Sequence, residues 1–223
     1  MSRPPRTGIK ICGITSPCDA ARCIEAGADY LGIIFVPETP RYVEISTAIS
    51  ILDAVSKAVP VVGVFQNQPL EVILSVLEKL SLSYVQLHGD EPLEMLEKLP
   101  VPVIKVRTID QAPAQTLATL PLLAHNGPKA WLLDLPKGSS HSHNPWDTPP
   151  EPGFLSKIPC GEWWMAGQLS PENIQARVER WQPWVVDVAS GVEAAPGEKD
   201  PRKVQAFCQA VQQARSQSVF LSQ

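Results

Sequence analysis

Cys12 is the residue of this chain best placed to do chemistry. It closes an apolar run, Gly8-Ile9-Lys10-Ile11-Cys12, and Gly13 breaks the run at once. A thiol shown at the end of a buried strand is a nucleophile or base once ionised. A free thiol has a pKa near ~8.5, so a working base at neutral pH needs help. Alternate residues of a strand share a face, so Lys10 points the same way as Cys12, and its ammonium is expected to favour the thiolate. Lys10 needs a counter-ion in turn. Asp187 is the candidate, in a second apolar run (Trp184 to Val188) that ends in the turn Ser190-Gly191. Asp134 closes a third run, Ala130-Trp-Leu-Leu-Asp134, and sets a carboxylate at the same end of its strand. Arg41, Gln86, His88, Arg107 and Gly167-Gln168 sit at comparable places after other runs, and Lys105 is a further candidate for an inward cation.

Those residues matter only if the elements that carry them converge. Short apolar strands are expected at 8–12, 30–35, 61–65, 83–87, 102–106, 130–134, 162–166 and 184–188. Amphipathic helical patterns fall between them at 17–26, 46–58, 69–79, 91–98, 111–120, 171–180 and 201–214, several opened by proline at a first-turn position. Continuous apolar strands alternating with helices predict a parallel sheet covered on both faces. Eight of them in 223 residues predict an α/β fold, a single (β/α)8 barrel over 1–223 with a closed eight-stranded parallel sheet. The stretch 136–159, rich in Pro, Ser and His, reads as a long irregular loop after strand 6 with a short helix near Phe154 to Lys157. Active sites of this fold lie at the C-terminal ends of the strands. The turns after strands 7 and 8 there commonly hold phosphate on backbone N–H groups. Gly167 and Ser190-Gly191 occupy those turns, so the topology predicts a small phosphorylated ligand.

Composition narrows the partners. The net charge is −4, which offers no basic field for nucleic acid or an anionic membrane. No apolar run approaches the ~20 residues that span a bilayer, and the first residues carry no apolar leader, so a cytoplasmic protein is expected. Five irregularly spaced cysteines fit reduced thiols. Cys18, Cys23, Cys160 and Cys208 read as small buried hydrophobes. No zinc spacing is present, the His141-Ser142-His143 pair included, and no metal is expected.

The residues also carry a resemblance that runs almost end to end. Lys10-Ile-Cys-Gly-Ile-Thr15, Ala26-Gly-Ala-Asp29, Pro40-Arg41-Tyr42, Val62-Gly-Val-Phe65, Val85-Gln-Leu-His-Gly-Asp-Glu91, Leu132-Leu-Asp134, Leu169-Ser-Pro-Glu-Asn173 and Asp187 through Asp200 stand in the order and spacing of the phosphoribosylanthranilate isomerases of tryptophan biosynthesis. The resemblance implies a cofactor-free Amadori rearrangement of an aminoaldose phosphate to an aminoketose phosphate. It implies Cys12 as base, Asp134 as acid, Arg41 on the anthranilate, and phosphate at Gly167 and Ser190-Gly191. Gln86 and His88 are expected on the substrate side, and Lys10 with Asp187 behind the base. A monomer is expected.

The chain departs from the family pattern in three places. The glycine-rich segment that usually follows the acid is replaced by Pro136 to Asp147, with Gly138 alone. Gln168 stands where a second glycine is usual, and Ala189 where a serine is usual. These changes are expected to alter phosphate affinity more than the chemical step. Two other readings stay open from the residues: another phosphosugar barrel enzyme, such as an indole-pathway synthase or the histidine-pathway aldose isomerase, and a non-catalytic phosphate-binding barrel.

Overall fold

In the computed structural model the described residues are 6–55, 58–109, 113–118, 120, 127–136, 138, 144–150 and 162–220. Eight parallel strands pair in chain order: β1 (Gly8–Cys12), β2 (Tyr30–Ile34), β3 (Val61–Phe65), β4 (Tyr84–Leu87), β5 (Val103–Thr108), β6 (Ala130–Asp134), β7 (Glu162–Met165) and β8 (Val185–Val188). β8 pairs back onto β1 and closes the barrel. Around it run α1 (Pro17–Ala26), α2 (Ile45–Val55), α3 (Leu70–Lys79), a 3-10 helix (Leu93–Lys98), α4 (Pro113–Ala118), α5 (Ile174–Trp181) and α6 (Pro201–Phe220). α6 packs on α1 and α5, joining the last helix to the first.

Local chemistry sets these boundaries. Ser16 caps α1 by accepting from the Asp19 N–H at 3.1 Å, Pro17 takes the first helical position, and Gly27 ends the helix at φ 107°. The expected helix at 91–98 appears as the short 3-10 helix, and the one at 171–180 begins only at Ile174, because Ser170 N–H first donates to Asn173 Oδ1 at 3.0 Å. Between β6 and β7 the described residues hold only a 3-10 turn, Pro145–Asp147. The short helix expected near Phe154 to Lys157 lies outside the described residues, as do Cys160, His141 and His143. After β8 a 3-10 turn, Ser190–Val192, leads into a hairpin of β9 (Glu193–Ala195) and β10 (Glu198–Lys199) that the apolar pattern did not announce.

Strand parity sorts side chains into two layers. One parity gives Ile9, Ile11, Leu31, Ile33, Leu87, Leu133 and Val186, which pack outward with the helices. The other gives an interior plug of Val62, Ile104, Val106, Ala130, Leu132, Trp164 and Val185, packed with Tyr30 and Tyr84. Lys10, Cys12, Gln86, Asp134 and Asp187 share the inward parity, so polar groups stand on an apolar floor. Lys105 does not join them. It alternates with inward Ile104 and Val106, faces the outer layer, and ion-pairs with buried Glu91 at 2.6 Å. Arg107 has the same outward parity and is exposed. Cys23 and Cys208 are buried, but Cys18 is exposed: it lies in the first turn of α1, well round the helix from the core-facing Ala20 and Cys23.

Candidate active site

Strands β1 and β8 build the floor of the mouth. Lys10 pairs in register with Asp187, and its Nζ, fully buried, donates to both carboxylate oxygens at 3.0 Å. Burial alone would lower the Lys10 pKa; the Asp187 charge, aided by Cys12, more than reverses this and holds it above its ordinary value. One pleat on, Cys12 lies against the same spot on β2. A Cβ added to Gly32 would come 2.8 Å from Cys12 Sγ and 3.0 Å from Lys10 Nζ. Gly32 therefore makes the room in which the thiol and the ammonium meet. The balance at the sulfur differs from the sequence expectation. Burial pushes the Cys12 thiol up, and Lys10 opposes that without overcoming it. The resting group is a thiol.

A second cation stands over the rim. Arg41, in the loop after β2, donates Nε and Nη2 to the two oxygens of Glu193 at 2.8 and 2.6 Å. Its aliphatic stem covers Gly13, whose φ of +75° and lack of a Cβ allow the approach: an added Cβ would lie 2.7 Å from Arg41 Cδ. Glu193 also takes a 2.9 Å contact from buried Lys199, which donates to the Ala189 carbonyl as well. Burial would raise the Glu193 carboxyl, but the hydrogen bonds from Arg41 and Lys199 hold it below its usual range. Glu193 and Lys199 were missed as site residues. Their signal was present in Ser190-Gly-Val-Glu193 and Gly197-Glu-Lys199, an acid and a base flanking a hairpin turn.

Across the barrel, Asp134 ends β6. Its Oδ1 accepts from the Leu135 N–H at 2.8 Å, and its Oδ2 lies 3.3 Å from His88 Nε2. His88 follows β4, and its Nδ1 lies 3.0 Å from Gln86 Nε2. Gln86 is 1% exposed and so sits behind the imidazole, whereas the His88 and Asp134 side chains are each about a quarter exposed to the mouth. Asp187 interacts electrostatically with both Asp134 and His88, so the floor and the far wall belong to one polar layer.

The two turns beside β7 and β8 pack on one another. Gly167, at φ +89°, lies so close to Leu135 that a Cβ would come 2.6 Å from its Cγ, and Gly191 lies against the Leu169 carbonyl. Ser190 is exposed at the start of its turn. Gln168 keeps the left-handed backbone (φ +52°) that a glycine would adopt freely. Its Oε1 accepts from Asn144 at 3.2 Å, while its carbonyl accepts from Asn173 and Arg177, each at 2.9 Å. The fully buried Trp146 donates Nε1 to the Ala166 carbonyl at 2.8 Å, and Arg177 reaches Asp147 at 3.0 Å. Residues 144–147 are thereby fixed to the β7 turn. Among the described residues no three His, Cys, Asp or Glu side chains converge as metal ligands would.

A base candidate and an acid candidate on opposite walls, two glycine turns and a rim arginine are the arrangement into which the comparisons fall. The family described as N-(5'-phosphoribosyl)anthranilate (PRA) isomerase matches residues 9–210. The chain belongs to this family. An N-(5'-phosphoribosyl)anthranilate isomerase from Geotalea daltonii is 39% identical over 208 residues, covering 91% of this chain and 95% of the relative. One from Desulfatibacillum aliphaticivorans is 37% identical, covering 90% and 91%. Among solved structures, phosphoribosyl anthranilate isomerase from Thermotoga maritima superposes with a TM-score of 0.79 at 32% identity, over 93% of this chain and 99% of that one. A phosphoribosyl anthranilate isomerase in complex with reduced 1-(o-carboxyphenylamino)-1-deoxyribulose 5-phosphate superposes with a TM-score of 0.76 at 30% identity, with the same coverage. The eight-stranded barrel of this chain is thus the barrel of its family.

Proposed function

We propose that this chain converts N-(5-phosphoribosyl)anthranilate to 1-(2-carboxyphenylamino)-1-deoxyribulose 5-phosphate by acid–base catalysis. The observation that carries the reading is the placement of Cys12 on β1 and Asp134 on β6, across one mouth from each other, in a chain of this family. Asp134 gives its proton to the ribose ring oxygen as the C1–O bond breaks, leaving a protonated Schiff base at C1 and a free hydroxyl. Cys12 first releases its thiol proton to solvent, which returns it after turnover; as thiolate it removes the C2 proton, and the electron pair moves into C1–C2 to neutralise the iminium. In the enolamine so formed, C1 takes a proton back from Cys12 and the C2 hydroxyl returns one to Asp134. Both groups end as they began, and no redox cofactor or metal enters the balance.

The remaining groups hold the substrate. The N–H groups of the turns at Gly167 and Ser190-Gly191 suit a terminal phosphate. Arg41, steadied by Glu193, suits the anthranilate carboxylate. His88 stands against Asp134, 3.3 Å from its Oδ2, and belongs with the acid rather than with the groups that grip the substrate. Every group named comes from one chain, so a monomer suffices. The four described cysteines stand as free thiols, which favours a cytoplasmic setting. The test is direct. Purified protein should quench the fluorescence of phosphoribosylanthranilate as product forms. Cys12→Ser and Asp134→Asn should each lower kcat by roughly 10²–10⁴, the usual worth of a general base or acid. No quenching by folded wild-type protein would dismiss the reading, and a wild-type rate in either variant would dismiss that residue's role.

A further inference from the structure

The wall behind Asp134 has a structure that substrate binding alone does not explain. Gln86, on β4, and His88, just past its end, stand two residues apart on the inward side. The Gln86 amide nitrogen lies 3.0 Å from His88 Nδ1. An amide nitrogen can only donate, so Nδ1 is the acceptor, and the proton of the neutral ring sits on Nε2. That nitrogen is 3.3 Å from Asp134 Oδ2, while the Leu135 N–H already holds Oδ1. The carboxyl therefore faces two N–H donors, one fixed by the backbone and one by a side chain two residues back on another strand.

Gln86 is costly where it stands. It is buried, and its Oε1 has no hydrogen-bond partner among the described residues. A leucine would fill the space without stranding a carbonyl. The amide earns its place through its other end, by fixing the tautomer and the angle of the imidazole. We propose that His88, held by Gln86, is a positioning residue for Asp134: its Nε2–H aims Oδ2 at the mouth and stabilises the carboxylate that forms as the proton leaves. The proposal rests on the reading of Asp134 as the acid. It alters no proton count, because His88 keeps its proton throughout. A contact of 3.3 Å is long for such a bond, as is common before substrate is bound, and it shortens as charge develops on Oδ2.

The test is a set of variants followed by substrate fluorescence. His88→Ala should lower kcat about tenfold to a hundredfold, less than loss of the acid itself, with KM within about twofold of wild type. His88→Gln should recover much of the loss, because its amide N–H reaches nearly the place of Nε2. Gln86→Leu, which removes the tether without opening a cavity, should fall between them. Gln86→Glu puts a carboxylate against Nδ1 and draws a second proton onto the ring. Its kcat–pH profile should then differ in shape from wild type, with Asp134 against the ring, Asp187 within electrostatic reach of it and paired to Lys10, and Asp90, Glu91, Lys105 and Arg107 lining the same cavity; an unchanged profile would overturn the tether. His88→Ala in an Asp134→Asn background should add little further loss, since the two act as a unit. A His88→Ala enzyme with normal kcat and raised KM would make His88 a substrate contact and overturn the proposal while leaving Asp134 as acid. Full additivity of the two losses would overturn it as well. A fully active Asp134→Asn enzyme would instead remove the acid reading on which the proposal stands.

Discussion

Lys10→Met asks whether the Lys10–Asp187 pair is the base of the polar layer. The pair is buried, and Nζ divides its contact evenly between two oxygens at 3.0 Å. Removing the ammonium leaves Asp187 unpaired on an apolar floor, where burial raises its carboxyl and Lys10 is the main group that opposes this. Breaking a buried pair in this way costs about 3–5 kcal/mol, a third or more of the stability of many domains, which lies at about 5–15 kcal/mol. Asp187→Leu leaves the buried ammonium unpaired in turn and should cost about as much, about 3–5 kcal/mol. The double variant Lys10→Met/Asp187→Leu removes both charges and should return most of the lost stability, because an apolar replacement of a buried pair is often neutral. Urea denaturation of the four proteins gives the coupling, expected at about 2 kcal/mol or more. The same proteins report on Cys12. Lys10 opposes the burial that keeps the sulfur protonated, so the double variant should alkylate Cys12 more slowly with iodoacetamide at fixed pH, with exposed Cys18 as the internal control. A double variant as unstable as Lys10→Met would refute the ion-pair argument. Unchanged alkylation of Cys12 would refute the influence of Lys10 on the sulfur.

Alkaline stability follows from two other thiols. Burial pushes Cys23 up to about 12 and Cys208 up to about 11. Unfolded thiols ionise near ~8.5, so the stability these groups contribute is complete below that pH and is lost as pH rises toward 11 to 12. The urea midpoint should fall across that window, and Cys23→Ala/Cys208→Ala should flatten the fall; an unchanged slope would place the cause elsewhere. Trp146→Phe should lower stability by about 1–2 kcal/mol through the lost bond to the Ala166 carbonyl. Trp146→Ala should lower it by about 3–5 kcal/mol through the cavity. Equal losses would show that packing at this site counts for little. Arg41→Ala should raise KM about tenfold to a hundredfold, the worth of a charge-assisted bond, with a smaller effect on kcat; a KM within twofold of wild type would count against Arg41 as the carboxylate anchor.

The barrel was legible because its strands are continuous apolar runs with punctuated ends. β1, β3 and β6 begin and end where the pattern places them, and α1 is written out by Ser16, Pro17 and Gly27. Side-chain direction along a strand was legible too, which is how Lys10 could be set beside Cys12. The errors have physical causes. Lys105 is charged, and a charge on a strand suggests the mouth, but period-two counting from Val106 turns it outward, where Glu91 neutralises it. The net effect on Cys12 needed the depth of burial, which no periodicity supplies. The hairpin after β8 is five residues of strand in all, too short for a hydrophobic pattern, and its ion triad of Arg41, Glu193 and Lys199 joins parts of the chain far apart in sequence. The chain from Gln86 through His88 to Asp134 was out of reach for the same reason: each residue could be named, but the link crosses from β4 to β6.

A protonated resting thiol is at first sight a poor base, yet it orders the proposed reaction. With burial outweighing Lys10, little thiolate exists before substrate arrives, and a buried thiolate without a task would be open to oxidation and alkylation. The acid acts first. When Asp134 opens the ring, a full positive charge appears on the Schiff base at C1, the carbon bonded to C2, whose hydrogen Cys12 must take. That cation does for the sulfur what Lys10 alone does not, favouring the thiolate when the C2 proton becomes acidic. Lys10 keeps the required change small, and Asp187 keeps Lys10 charged without neutralising its effect on Cys12. The thiolate is then best populated after the acid has acted, and the two proton transfers follow one another in a fixed order set by charge.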